Sequence, residues 1–189
     1  MALLALTGAP CTGKSTAADI LESGGYPTVR MGETLRAQVD SSDEDEVWEY
    51  AEKLREEHGE HGVAVPCVDP LREALQTEPL VAIEGCRTMS EIDYLEQELD
   101  TKTIILHFFA PWEDRVRWFS GREGRGGSAE ELKKREERER AAGLVEFQVC
   151  ADAIINNNRT VEDLANEVID IAWKLTKSDE YVQYSNSSP

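Results

Sequence analysis

Eight consecutive residues, Gly8-Ala9-Pro10-Cys11-Thr12-Gly13-Lys14-Ser15, satisfy the pattern G-x-x-x-x-G-K-[ST] in full. These residue types serve one kind of chemistry. Glycines let successive backbone N–H groups turn toward phosphate oxygens, the lysine reaches the β- and γ-phosphates of a nucleoside triphosphate, and the hydroxyl ligates Mg²⁺. A helix starting near Gly13 adds the positive end of its dipole. From the chain's own composition a chance match has a probability of roughly 0.004, so the spacing is signal. Gly8 to Ser15, with Thr16 behind them, form the candidate nucleotide-binding segment. Cys11 reads as a filler at a variable position of the motif rather than as a reactive thiol.

Such a loop works only between a buried strand and a helix, and the pattern supplies both. Ala2 to Leu6 is a short apolar run stopped by Gly8 and Pro10, and Lys14 to Glu22 reads as a helix ended by Gly24-Gly25. Further apolar runs at Pro27–Arg30, Leu80–Glu84, Thr103–Phe109 and Ala153–Asn156 alternate with helical patterns at Gly32–Val39, Ser90–Leu99, Trp112–Ser120, Glu130–Ala142 and Val161–Leu175. This alternation predicts a parallel sheet covered on both faces. Residues 40–60 depart from it, with ten Asp or Glu interleaved with Val47, Trp48, Ala51 and Leu54 at helical spacing. They predict a solvated helix with an apolar underside. Glu84 closes a buried run, either as an acid that holds Mg²⁺ together with Ser15 or as a charge that simply emerges into solvent at a strand's end.

Three further segments carry a resemblance. Met31-Gly32-Glu33-Thr34-Leu35-Arg36 and Val81-Ala82-Ile83-Glu84-Gly85-Cys86-Arg87 are similar to segments of adenylate kinase and other nucleoside monophosphate kinases. Ala151-Asp152-Ala153-Ile154-Ile155-Asn156-Asn157 resembles the A-D-x-x-I-x-N of dephospho-CoA kinases. Over about residues 1–176 the chain most resembles an archaeal P-loop nucleotide-kinase-like family related to both. The resemblance implies an α/β three-layer P-loop fold with a five-stranded parallel sheet in the order 2-3-1-4-5. It also implies an acceptor-binding helical insertion at about 37–79 and a short lid at about 121–128. Residues 177–189 are expected to be a disordered tail.

The resemblance implies roles for the remaining residues. Arg36 and Arg87 would hold the acceptor's phosphate, a contact that suits guanidinium geometry. Arg87 follows Glu84 by three residues, where adenylate kinases place theirs four after the acid. Glu33 would orient the acceptor or the waters on Mg²⁺, or equally stands as an acid in the first turn of its helix. Arg115, Arg117, Arg122 and Arg125 cluster around the glycine-rich 121–127, the slot of a lid that stabilises charge on the transferring phosphoryl group. Arg117 and Arg122 fit the lid pattern best, and with Lys14 and Arg87 they complete the candidate catalytic set. Arg138 and Arg140 read as a salt-bridged helix face. His58 and His61 read as a frayed helix end, and His107 as a core histidine.

The implied activity is ATP- and Mg²⁺-dependent phosphoryl transfer to a small nucleotide-like acceptor, with a nucleoside monophosphate favoured by the spacing of Glu33 and Arg36. The alternatives are transfer to a sugar hydroxyl, as in dephospho-CoA kinases, or a nucleotide switch without a small acceptor. A formal charge of -18, from 20 Lys+Arg against 38 Asp+Glu, argues against nucleic-acid or anionic-membrane partners. Four cysteines without C-x-x-C spacing, no basic leader and no long apolar span lead to the expectation of a soluble cytoplasmic protein with reduced thiols.

Only 7 Lys stand beside 13 Arg, and carboxylates are spread over most helices, a pattern that predicts adaptation to high salt. Their repulsion in dilute buffer is screened by concentrated salt. The melting temperature is therefore expected to rise with KCl. A midpoint that stays flat or falls removes that idea in favour of a basic partner docking on residues 40–60.

Overall fold

The computed structural model describes residues 1–39, 43–122 and 126–186. Its sheet is formed by β1 (Ala2–Gly8), β2 (Thr28–Arg30), β3 (Leu80–Glu84), β4 (Lys102–Phe109) and β5 (Ala153–Asn156). The order is β2-β3-β1-β4-β5 and every pairing is parallel, as expected. The helices are α1 (Lys14–Ser23), α2 (Met31–Val39), α3 (Glu44–His58), α4 (Val68–Leu75), α5 (Met89–Leu99), α6 (Trp112–Ser120), α7 (Ala129–Ala141), α8 (Phe147–Cys150) and α9 (Val161–Asn186).

The period of two along a strand makes the three layers. Leu3 and Ala5 of β1, with Val81 and Ile83 of β3, face a core built from α2 to α5. Leu4 and Leu6, with Leu80 and Ala82, face the opposite core, where α1 and α9 contribute Ala17, Ala18, Leu21, Leu164, Val168 and Ala172. The central strand is closed to water, Leu3 to Leu6 all being 0% exposed. Parallel register sets Leu6 beside Glu84 and Gly8 beside Phe108. The carboxyl edges of three strands therefore converge where β1 turns into the loop.

Between β2 and β3 the chain inserts α2, α3, a 3-10 turn (Gly62–Cys67) and α4. α3 buries Ala51 and Leu54, as its apolar underside predicts, and Asp43 caps it by accepting from the Asp45 and Glu46 amides. The sequence reading did not find α4. Pro66 and Pro70 interrupt its pattern, yet Pro70 stands in the first turn, where a helix has no partner for the missing N–H. The last helix also runs past the Leu175 at which its polar continuation led the sequence reading to stop it. No Gly or Pro interrupts residues 161–186, so the backbone ladder continues to Asn186 through part of the expected tail. Residues 187–189 lie outside the described set, as do 40–42 and the lid residues Glu123, Gly124 and Arg125.

Among the described residues no helix is long and apolar enough to cross a membrane. All four cysteines are free thiols. Burial pushes the Cys67 thiol up to about 12 and the Cys86 thiol well above its ordinary value.

Gly62 lets the 3-10 turn lie against the end of α3: a β-carbon there would strike the Leu54 carbonyl group. Gly62→Ala is expected to cost about 1–3 kcal/mol by overpacking. Urea denaturation checks this, and an unchanged midpoint would mean the insertion is not packed in this way.

Candidate active site

The loop from Gly8 to Ser15 bends through unusual backbone, with φ of 134° at Gly8, 61° at Cys11 and 101° at Gly13. A β-carbon at Gly8 would strike the Phe108 carbonyl oxygen, and one at Gly13 the Asn157 amide. Cys11 holds a left-handed conformation that costs an L-residue about 1–2 kcal/mol. Its side chain packs with Phe119 and Leu132 in a small core of its own, which supports the filler reading.

Side chains within and around the loop fix its peptide planes. Thr12 Oγ1 donates to the Ala9 carbonyl at 2.9 Å, and Asn157 Nδ2 donates to the Thr12 carbonyl at 3.0 Å. Arg115, 6% exposed, donates from Nη1 to the Pro10 carbonyl at 3.1 Å and from Nη2 to Glu136 Oε2 at 2.6 Å. Asp152, just before β5, accepts from the Ile105 amide of β4 at 2.8 Å. His107 is a core residue, with Nδ1 3.2 Å from Thr7 Oγ1. Burial, then the Lys14 charge, hold its pKa below the ordinary value.

Within the loop, Lys14 Nζ donates to the Gly8 and Ala9 carbonyls at 2.6 and 2.8 Å. Burial lowers its pKa, while Glu139 and Glu84 act against that shift. Ser15 Oγ donates to Glu84 Oε1 at 3.0 Å. This joins the first turn of α1 to the end of β3, as the strand register requires.

The opposite wall of the cleft is charged. Arg87, Arg122, Arg135 and Glu139 line it together with Lys14 and Glu84. Glu139 is 6% exposed and pairs with Arg87 Nη2 and Arg135 Nε, each at 3.5 Å. Beneath Arg87, the buried Glu91 accepts from the Arg87 and Thr88 amides and closes a capping box at the start of α5. Burial raises the Glu91 pKa despite those bonds and the nearby Arg87 charge.

The sequence candidates divide accordingly. Gly8, Lys14, Ser15, Glu84, Arg87 and Arg122 come together at the cleft. Arg117 does not: its side chain is 71% exposed and pairs with Asp114 at 2.6 Å. The buried face of α6 carries Arg115 and Phe119, four residues apart, and Arg117 is two residues out of phase with it. Glu33 is exposed, and the Arg36 guanidinium lies over Gly32, 3.5 Å from where a β-carbon would stand. Neither lines the cleft. Arg138 and Arg140 are surface pairs with Asp45 and Glu136. His61 stacks on Tyr94 with centroids 4.3 Å apart. No group of three His, Cys, Asp or Glu suited to a metal occurs among the described residues.

Sequence reasoning missed Arg135 and Glu139 as site residues, although α7 held the signal. Leu132 is the one apolar residue in its middle, and counting three, four and seven residues on reaches Arg135, Glu136 and Glu139. Arg115→Met would strip Glu136 and the Pro10 carbonyl of their shared partner. It is expected to lower stability by about 3 kcal/mol and to weaken triphosphate binding. Urea denaturation and an ATP titration measure both, and wild-type values would show that the loop holds itself.

No family model matches the chain. A UPF0200 protein of Methanosarcina barkeri is 31% identical over 177 residues, covering 90% of this chain and 94% of that protein. One of Methanosarcina mazei is 30% identical, with coverage of 95% and 98%. A UPF0200/UPF0201 protein of Archaeoglobus fulgidus is also 30% identical, but the chain spans only 58% of its length. Among solved structures, TT1252 from Thermus thermophilus superposes with a TM-score of 0.60 at 24% identity, over 92% of this chain and 97% of that one. Shikimate kinase from Bacteroides thetaiotaomicron gives 0.60 at 14% identity, with coverage of 90% and 98%. A gluconokinase from Sinorhizobium meliloti gives 0.57 at 13%, with coverage of 99% and 98%. At these identities the structural likeness shows the P-loop kinase fold, and the relatives show the kinship: this chain belongs to the UPF0200 family.

Proposed function

We propose that the protein transfers the γ-phosphoryl group of ATP to a small nucleotide-like acceptor, with a nucleoside monophosphate favoured. The observation that carries this reading is the joining, in one cleft, of the phosphate loop with Lys14, the Ser15–Glu84 pair and the arginines Arg87 and Arg122. Two structures of the same fold are, by name, kinases of small molecules.

The proposed reaction has three needs, and this chain's residues can meet each. Loop amides and Lys14 bind the β- and γ-phosphates, once Lys14 Nζ leaves the Gly8 and Ala9 carbonyls. Ser15 and Glu84 present oxygens 3.0 Å apart, a sparse hard donor set that fits Mg²⁺ shared with phosphates. When bound there, Mg²⁺ would neutralise charge on the β- and γ-oxygens. Arg87 and Arg122 flank the transferring group and offset the negative charge that spreads over it. An oxygen of the acceptor attacks the γ-phosphorus as the bond to the β–γ bridging oxygen breaks, and ADP leaves with that electron pair.

A phosphate acceptor is ionised at neutral pH and requires no general base, whereas a hydroxyl requires one. Neither Glu33 nor Arg36 lines the cleft, so the phosphate-acceptor reading rests on the arginines that do, Arg87 and Arg122.

Lys14→Ala is expected to lower turnover at least about 100-fold. Its melting temperature should stay within about 4 °C of wild type. Near wild-type turnover in that variant would end the kinase reading. A screen of nucleoside monophosphates and dephospho-CoA with labelled ATP identifies the acceptor. Glu33→Gln is then expected to leave the pH profile of transfer unchanged, and loss of an acidic limb would select the hydroxyl acceptor instead.

A further inference from the structure

The two edges of the sheet are finished differently. β2 is three residues long, and its Arg30 is held by Asp19 and Glu22 of α1 at 2.6 and 2.7 Å. Charge on a free strand edge keeps it from pairing with another chain. β5 closes the other end of the order β2-β3-β1-β4-β5. It carries no charged residue, and no strand of the described residues pairs with its outer side.

Apolar surface gathers at that bare edge. Phe108 and Ile155 point into the core under α1 and α9. The period of two along each strand therefore turns Phe109 and Ile154 to the other face, where both stand more than half exposed. The one-turn helix α8 and the 3-10 turn before it, Leu144–Glu146, lead into β5 and add Val145 and Val149. These four are half of the eight large apolar side chains exposed among the described residues. Residues 147–158 hold one charged residue in a chain that is 31% charged, and that one, Asp152, is bonded to the Ile105 amide. Apolar surface concentrated in this way marks contact with another protein.

The charge of the chain selects the occupant. A basic partner would settle on the acidic helices, α3 above all, since nothing at this edge attracts a cation. An uncharged strip with a free strand edge is matched by another of the same kind, and a second copy supplies one. Two like strands meet antiparallel about a two-fold axis, and such a contact closes at two copies. We infer that β5 pairs antiparallel with β5 of a second copy, which joins the two sheets into one and packs Val145, Val149, Ile154 and Phe109 against the partner. The copies repel through their charge of -18 each, so the pairing strengthens as salt screens it. β5 ends one residue short of Asn157, whose amide holds the Thr12 carbonyl, so whatever steadies this edge steadies the phosphate loop.

Sedimentation of the full chain from about 1 to 200 µM, in dilute buffer and in concentrated KCl, tests the pairing. The wild type should pass with rising concentration from 21.2 kDa to twice that mass, and should do so at lower concentration in KCl. Val149→Asp and Ile154→Asp should each weaken the dimer roughly tenfold or more. Val149 is 86% exposed, so its variant keeps the fold, which melting in the same buffers checks. Trp173→Asp alters an apolar residue of α9 that is as exposed as Ile154, and should leave the dimer as in wild type. A chain that stays monomeric in both buffers overturns the inference and leaves the edge to a different partner. A dimer that survives both edge variants, or that Trp173→Asp undoes, overturns it too, as does growth beyond two copies.

Discussion

A loop with Gly8, Cys11 and Gly13 all at positive φ cannot be held by its own backbone, and the molecule is arranged around holding it. A buried strand enters the loop and a helix leaves it. Between them its carbonyl groups are engaged by Thr12, by Arg115 from α6 and by Asn157 from beyond β5. Those last two side chains lie 42 residues apart in the second half of the chain, on either side of α7. The order β2-β3-β1-β4-β5 is what makes this possible, since it puts β1 in the centre with β4 beside it and β5 next. The site thus depends on completion of the whole sheet.

Electrostatics impose a second condition. In a chain of net charge -18 the cleft must concentrate cations to attract a polyphosphate at all. Lys14, Arg87, Arg122 and Arg135 do so, and Glu84 and Glu139 keep them from repelling one another. Glu139 is the more consequential of the two carboxylates, because it pairs with two arginines at once and is the foremost charge acting on Lys14. Under the proposed function an incoming phosphate would compete with it for the same guanidiniums, and the affinity of the cleft would reflect the difference between two sets of ion pairs.

Much of this was legible in the sequence. Short apolar runs alternating with helical patterns placed all five strands, most clearly β1 and β3, which are buried on both faces and so must be apolar almost throughout. The loop motif was legible because its residues are dictated by backbone geometry and phosphate chemistry, which leave few substitutes. Legibility failed where a side chain's direction decides its role. Arg115 and Arg117 are alike in the sequence, yet one is buried under the loop and the other stands in water. Arg135 and Glu139 sat inside a run of charges that reads as a solvated face, although α7 turns one such stripe inward beside Leu132. α4 was hidden because Pro66 and Pro70 look like breaks until their positions in the turns are known.

The central claim is that residues 8–15 form a triphosphate cradle in which Lys14 rests on carbonyl groups until phosphate draws it away. A crystal structure with a non-hydrolysable ATP analogue and Mg²⁺ tests it most directly. The account predicts the β- and γ-phosphates inside the loop. It also predicts Lys14 Nζ moved from the Gly8 and Ala9 carbonyls to phosphate oxygens, and Arg87 turned from Glu139 toward the γ-phosphate. An analogue bound elsewhere, or bound with Lys14 still on those carbonyls, would contradict it.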